Sequence, residues 1–232
     1  MERSKGRLAS SRLNASAPTH TLRVPRAIVS NHVFINCPFD DGYRPIFNAF
    51  VFIIYDLGFV ARCAREADDS GEVRIAKIER IIEECKFGIH DVSEVSLDKK
   101  NKLPRFNMPL ELGMFLGCKR FGGKSQSRKI CLILDKSQYR YQKFISDIAG
   151  QDIRTHEDDP RTAITVVRNW LRNASPLVTM TGGEEIANRY SAFRKELPSL
   201  CRNLRLSANE LTFIDYIWLV KGWLDPNPIP LP

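Results

Sequence analysis

The sequence lacks the signatures on which several enzyme classes depend. It has no GxxxxGKS/T loop to cradle nucleotide phosphates, which argues against a P-loop NTPase. No GxGxxG follows the first strand-like segment, so a dinucleotide redox fold is unsupported, and no GxSxG elbow marks an esterase. None of its six cysteines (Cys37, Cys63, Cys85, Cys118, Cys131, Cys201) forms a CxxC pair, and the His and Cys spacings match no zinc pattern. With no secretory signal before them, these cysteines fit a reduced, cytoplasmic setting, as small hydrophobes in apolar runs. No stretch reaches the ~18 uninterrupted apolar residues of a membrane span. The most apolar helical segment, Ile46–Gly58, is too short and contains Asn48 and Asp56.

What is present is ordinary in amount and uneven in placement. The 232 residues suit one medium domain plus an appendage, since ~150 residues is a usual domain size. Of the net charge of +8, residues 1–30 carry +5, from six basic residues against Glu2. The high isoelectric point is thus largely a property of this tail. It contains few apolar positions and no steady period, and is expected to be a disordered basic extension rather than a transit peptide. Nucleic-acid contact is expected only weakly and only through it.

From residue 31 to 175, apolar β-branched runs alternate with helical patterns. Strands are expected at His32–Cys37, Phe59–Cys63, Phe87–Val92, Lys129–Asp135 and, weakly, around Ile153. Helices are expected at Tyr43–Leu57, Glu72–Cys85, a segment containing Glu111, Tyr139–Ile148 and Pro160–Asn173. The alternation implies a mainly parallel five-stranded sheet in a flavodoxin-like three-layer α/β sandwich. Residues 176–232 differ. Glu184–Leu197 reads as a helix, and Ser207–Glu210 has capping-box spacing before an aromatic helix ending near Leu224. This helical extension is expected to pack on the main domain, or to dock a second copy or another partner.

In such sheets, ligands bind outside the carboxyl ends of the strands, where strand order reverses. The loops there hold Asn36, Phe39, Asp40 and Asp41, then Arg62, Arg65, Asp68, Asp69 and Ser70, then His90, Asp91, Ser93 and Asn107. Each residue also has a plain structural reading. Asp40 and Asp41 suit a turn, and Asp69 or Ser70 suits a helix cap. Glu111 stands apart. It interrupts the apolar run in LPRFNMPLELGMFLG, where a carboxylate is hard to bury without a partner. Pro109 is expected at the first helical position, which would put Glu111 in or near the first turn, within reach of the helix dipole. An apolar wall would raise its pKa and the helix start would lower it. A carboxylate at the mouth of an α/β sheet suits N-glycoside cleavage, where it stabilises or traps an oxocarbenium-like sugar.

The segments HVFINCPFD, GIHDVSEVS and NMPLELGMFLG resemble the superfamily that joins TIR domains with nucleoside 2-deoxyribosyltransferase-like domains. The resemblance spans about residues 32–173. It implies a catalytic role for Glu111 in the ELG segment and for Asp91 after the third strand. It also implies a nucleotide pocket lined by Asn36, Phe39 and Asp40. PRFNMP stands where the transferases carry a serine- and glycine-rich loop, and the tryptophan motif near the TIR glutamate is absent. The implied activity is cleavage of an N-glycosidic bond in NAD or a related nucleotide or nucleoside, taken as substrate and not as cofactor. The implied biology includes bacterial defence and nucleoside salvage. The full set of expected site residues is Glu111 and Asp91 as catalytic groups, with Asn36, Phe39, Asp40, Arg62, Asp69, Ser70, Ser93 and Asn107 around the substrate. No metal site is expected. A homo-oligomer, or a partner docked through the C-terminal helices, is expected. The competing readings are a non-catalytic nucleotide-binding or assembly module and a receiver-like phosphoacceptor domain. The last is disfavoured because the weak final strand lacks a lysine.

Overall fold

The computed structural model describes residues 29–66, 69–95, 97, 102–175 and 180–229. The segment expected to be disordered lies outside them up to residue 28, as do Asp68, Asp98, Lys99 and Lys100. Among the described residues, the chain runs β1 (Val29–Asn36), α1 (Arg44–Asp56), β2 (Val60–Arg62), α2 (Arg74–Glu84), β3 (Cys85–Asp91) and α3 (Asn107–Phe121). It continues through α4 (Gly123–Gln126), β4 (Ile130–Asp135), β5 (Arg154–Thr155), α5 (Pro160–Ala174), α6 (Gly183–Asn203) and α7 (Phe213–Leu224).

The strand order is β2-β1-β3-β4-β5 and every pairing is parallel. This is the flavodoxin-like α/β arrangement. After β2 the chain crosses back over β1 to add β3, so the order reverses between β1 and β3. The register there sets Asn36 beside His90.

Strand alternation sorts the core into two faces. Val33, Ile35, Phe87 and Ile89 face α1 and α5, in the larger cluster. Phe34 faces α2 and α3, with Ile78, Ile81, Ile82 and Phe115. Helix α1 is apolar nearly all round, and Ile46, Phe47 and residues 49–54 are all buried. Such a helix must be covered on both sides. The sheet covers one side and the C-terminal helices cover the other. Phe52 packs against Tyr190, Phe193 and Trp223 at ring separations of 5.3, 5.4 and 5.8 Å. The C-terminal extension therefore shares one continuous core with the sheet domain. Each buried aromatic contributes roughly 1.5–3 kcal/mol.

Several local features follow the sequence. Gly58 adopts a left-handed φ of 77° just after α1, a conformation that glycine takes without strain. Pro160 opens α5, and Asp159 caps it by accepting from the Thr162 amide at 2.8 Å. Others differ. Residues 139–148 form two short 3-10 turns, Arg140–Lys143 and Ser146–Ile148, in place of an α-helix. The aromatic helix begins at Phe213, and its capping box is Thr212 with Asp215. Ser207–Glu210 is a turn instead, because the apolar run that a box must introduce starts later. Helix α6 passes through Pro198 and ends at Asn203, anchored by buried Phe193 and Cys201 on either side of the proline.

On the α2/α3 face the packing is close. A Cβ on Gly88 would lie 2.7 Å from both His90 Nε2 and the Phe115 ring. Lys129 is buried beneath the same ring, its Nζ 5.0 Å from the centroid, and donates to the carbonyls of Ile82 and Cys85 at the end of α2. Burial lowers its pKa. Gly88→Ala is expected to destabilise the fold by about 1–3 kcal/mol through overpacking, read as a lowered denaturant midpoint. An unchanged midpoint would show that Phe115 repacks freely.

Candidate functional site

The reversal of strand order leaves a crevice outside the carboxyl ends of β1 and β3, and α3 opens over it. Asn36, the last residue of β1, is buried and fixes that opening. Its Nδ2 donates to the Met108 carbonyl at 2.8 Å and lies 3.1 Å from His90 Nδ1. An amide nitrogen can only donate, so His90 Nδ1 accepts and the ring carries its proton on Nε2. Burial, with a smaller contribution from the Lys129 cation, pushes the His90 pKa down to about 3. The ring is therefore a neutral spacer at physiological pH. It packs edge-on against Phe115 at 4.8 Å.

Helix α3 starts at Asn107, two residues earlier than expected. Pro109 is consequently its third residue, where a missing N–H is still free of penalty. Glu111 is its fifth residue and lies beyond the free N–H groups. Only 5% of it is exposed. No hydrogen bond or ion pair to its carboxylate forms among the described residues. Of the two opposing influences on it, burial prevails. Its pKa is pushed up to about 7, with Arg74 pulling weakly the other way.

Glu111 stands where two clefts meet. One, of about 220 Å³, lies between the loop after β1 and the starts of α2 and α3. It is lined by Asn36, Phe39, Asp40, Arg74, Arg105 and Asn107, among others. The second, of about 200 Å³, runs between α2 and α3 and is mostly apolar, with Ile75, Ile78 and Leu110. Arg74, Asn107 and Glu111 line both. Asp40 is held by the Tyr43 amide at 3.0 Å and by Arg105 at 3.2 Å. The Phe39 ring is stacked under Arg65 and meets Phe47 edge-on.

The structure thus gathers Glu111, Asn36, Phe39, Asp40 and Asn107 in one place. It does not bring the remaining expected residues to them. Asp91 follows His90 on β3 and so points to the opposite face of the sheet. There it is fully buried and accepts from the Tyr43 hydroxyl at 2.7 Å and the Ser93 amide at 2.8 Å. His156 Nε2 lies 2.9 Å from Asp91, within ion-pair distance but without hydrogen-bond alignment. Asp91 is therefore a structural node joining the approaches to α1 and α5, not a partner of Glu111. Ser93 belongs to the same region, and its carbonyl accepts from Arg140, which also pairs with Asp135 at 2.5 Å. Arg62 is consumed by Glu66 at 2.5 Å and Glu84 at 3.2 Å, and the Glu66 hydrogen bonds chiefly raise its pKa. Asp69 closes a turn by accepting from the Gly71 amide, and Ser70 is exposed beside it. Neither caps α2, which starts at Arg74 after Val73.

Arg74 and Arg105 were not among the residues expected at the site. Their place in it depends on two helix starts, distant in sequence, converging on one cleft. Arg74 carried only the weak signal of a cation at the front of an amphipathic helix. Larger clefts of about 470 and 410 Å³ lie beside α6. The arginines there are largely engaged: Arg44 with Asp41 and the Asn209 carbonyl, Arg161 with Asn188 and Ser191. Neither cleft is lined by a buried, unpartnered carboxylate. Among the described residues no group of three His, Cys, Asp or Glu is arranged to hold a metal ion, and no helix is long and apolar enough to cross a membrane. Compared with known proteins, the chain matches no family model, no curated sequence and no solved structure.

Two outcomes are expected. The folded protein retains the Glu111 proton up to about pH 7, whereas an unperturbed glutamate releases it near 4.5. The stability linked to that proton is fully present below pH 4.5 and is lost as pH rises through about 7, on the order of 3 kcal/mol in all. Glu111→Gln should remove this slope, making the variant more stable than the parent at pH 8 and nearly equal to it at pH 4.5 in urea titrations. A variant less stable at both pH values would instead make Glu111 a support for its helix. Tyr43→Phe removes a hydrogen bond to the buried Asp91 carboxylate and should lower stability by about 1.5–3 kcal/mol in the same assay.

Proposed function

We propose that the protein is an enzyme that cleaves an N-glycosidic bond in a nucleotide, with Glu111 as the central catalytic group. The observation that carries this is Glu111 itself: a buried carboxylate with no protein partner, at the meeting point of a polar and an apolar cleft. A structural glutamate would be paired. One kept unpaired at a sheet's switch point is available to a substrate. The resemblance of the FINCPFD and ELG segments to the TIR and deoxyribosyltransferase-like superfamily supports the same reading.

In this mechanism the base rests against Ile75, Ile78 and Leu110, and the sugar lies across Glu111 towards Asp40 and Asn107. The bond from C1′ to the base nitrogen breaks, and its electron pair leaves with the base. A cationic leaving group such as nicotinamide departs neutral. The Glu111 carboxylate stabilises the positive sugar or bonds to C1′. Water then adds a hydroxyl to C1′, breaking the bond to Glu111 where one has formed and returning the carboxylate. The water's other proton goes to solvent, and a base that left as an anion takes up a proton from solvent. A second acceptor in place of water would give transfer. Asn36 acts as a positioning residue, holding the turn of α3 that carries Glu111.

Two features bear on a non-catalytic assembly role. Trp218 is 72% exposed and Ile214 is 45% exposed, one turn apart on α7. If the fold only binds and assembles, nucleotide is bound but never turned over.

The deciding experiment is product analysis of the parent and Glu111→Gln with NAD, nucleotides and nucleosides, at high protein concentration. Release of free base or nicotinamide is expected, rising as pH passes through about 7 because the ionised carboxylate is needed. Glu111→Gln should reduce it by about a thousandfold or more. No product from any substrate would overturn the proposal in favour of the binding role.

A further inference from the structure

We infer that the starts of α2 and α3 form a subsite for an anionic group, a phosphate or similar dianion, held by Arg74 and Arg105. This rests on the proposed nucleotide site and narrows it: the substrate is a phosphorylated N-glycoside and not a neutral nucleoside.

Helix N-termini carry partial positive charge and free N–H groups, so acids or capping side chains normally occupy them. The other long helices of the C-terminal half obey this rule. Asp159 caps α5, Glu184 and Glu185 sit in the first turn of α6, and Thr212 with Asp215 caps α7. Helix α1 also starts uncapped, at Arg44, but Asp41 pairs with that arginine. The two helices at the cleft break the rule as well. Helix α2 has no side-chain cap and no acid in its first turn, and its first residue is Arg74. Helix α3 likewise has neither, and Arg105 precedes its N-cap residue, Phe106. Cations have therefore been added at two positive helix ends, which is unfavourable for an empty cleft.

Both arginines line the same cleft of about 220 Å³. Arg74 forms no hydrogen bond or ion pair among the described residues. Arg105 has one partner, Asp40, at 3.2 Å, and keeps donors to spare. Glu111 is the independent sign that a ligand belongs here, since its carboxylate is buried, unpartnered and on the wall of this cleft. The two kinds of group suit one molecule. The arginines and free helix N–H groups take the anion, and Glu111 faces the carbon at which positive charge develops. A cleft of this size, below the ~300 Å³ typical of drug-sized ligands, suits a pentose phosphate, with the base directed into the adjoining apolar cleft.

The test is calorimetric titration of ribose 5-phosphate and of ribose into the parent, Arg74→Gln, Arg105→Gln and, as a control arginine at the cleft beside α6, Arg161→Gln. Ribose 5-phosphate should bind and ribose should not. Arg74→Gln and Arg105→Gln should each weaken binding by about tenfold or more, as expected for a lost charge-assisted hydrogen bond. Arg161→Gln should retain it. Equal binding of ribose and ribose 5-phosphate, or phosphate binding unaffected by both Arg74→Gln and Arg105→Gln, would overturn the inference. Rate measurements separate it from the activity. A neutral nucleoside cleaved as fast as its 5′-phosphate would sink the anion subsite while leaving N-glycoside cleavage standing. Arginine-dependent binding of ribose 5-phosphate with no product from any nucleotide would do the reverse.

Discussion

A single buried side chain, Asn36, connects the sheet to the start of α3. Its amide spans the Met108 carbonyl and His90 Nδ1, joining β1, β3 and α3 at the point where strand order reverses. The bridge requires a neutral His90, which burial ensures. It also requires α3 to approach the sheet closely, and Gly88 permits this by leaving room for His90 and Phe115. Lys129 completes the arrangement from below, tying the end of α2 to the underside of the Phe115 ring. The position of Glu111 follows from these contacts, because a helix pinned at its second residue has little freedom to rotate at its fifth.

The sheet's two faces separate closed packing from an open crevice. Towards α1 and α5, Asp91 joins Tyr43, Ser93 and His156 in a closed and fully buried group. His156 Nδ1 accepts from the Asp158 amide, and its Nε2 edge lies against Asp91. Beyond that group, α6 and α7 cover the apolar back of α1. Towards α2 and α3 the helices diverge at their N-termini and leave the clefts around Glu111. A heavily buttressed face lets the other face keep an open crevice without loosening the domain.

Much of this was legible in the sequence. The five strands, their alternation with helices and the apolar character of α1 follow from residue periodicity, and parallel order follows from connection length. Glu111 was visible because a carboxylate inside an apolar run is rare. Asn36, Phe39, Asp40 and Asn107 were visible because strand-exit loops gather at one edge. Asp91 was expected as a catalytic group only through the family resemblance, and the structure sets it on the other face of the sheet from His90, because neighbours on a strand face apart. Arg62 was misplaced because its partners, Glu66 and Glu84, come from different elements. Arg74 and Arg105 stayed hidden because each looks like an ordinary surface cation until two helix ends are brought together. The boundary errors are of a similar kind. Two capping boxes compete before α7, and the start of buried apolar spacing, at Phe213, decides between Ser207 and Thr212.

The chain mostly keeps its local rules; α1 also starts uncapped, at Arg44 beside Asp41, but three exceptions meet at one place. Its buried acids generally have partners: Asp56 has Arg189, Asp135 has Arg140, and Asp91 has three neighbours. Its later helices are capped or carry first-turn acids. At one cleft, by contrast, two helices start uncapped behind arginines, and a glutamate is buried with its pKa raised to about 7. Any one of these would be a small local cost. Their coincidence on the walls of a single crevice, at the switch point of the sheet, is hard to explain by folding alone, since folding would favour removing each of them separately. A ligand with an anionic end and a carbon that becomes positive relieves all three together. That shared relief is the physical argument for treating them as one site.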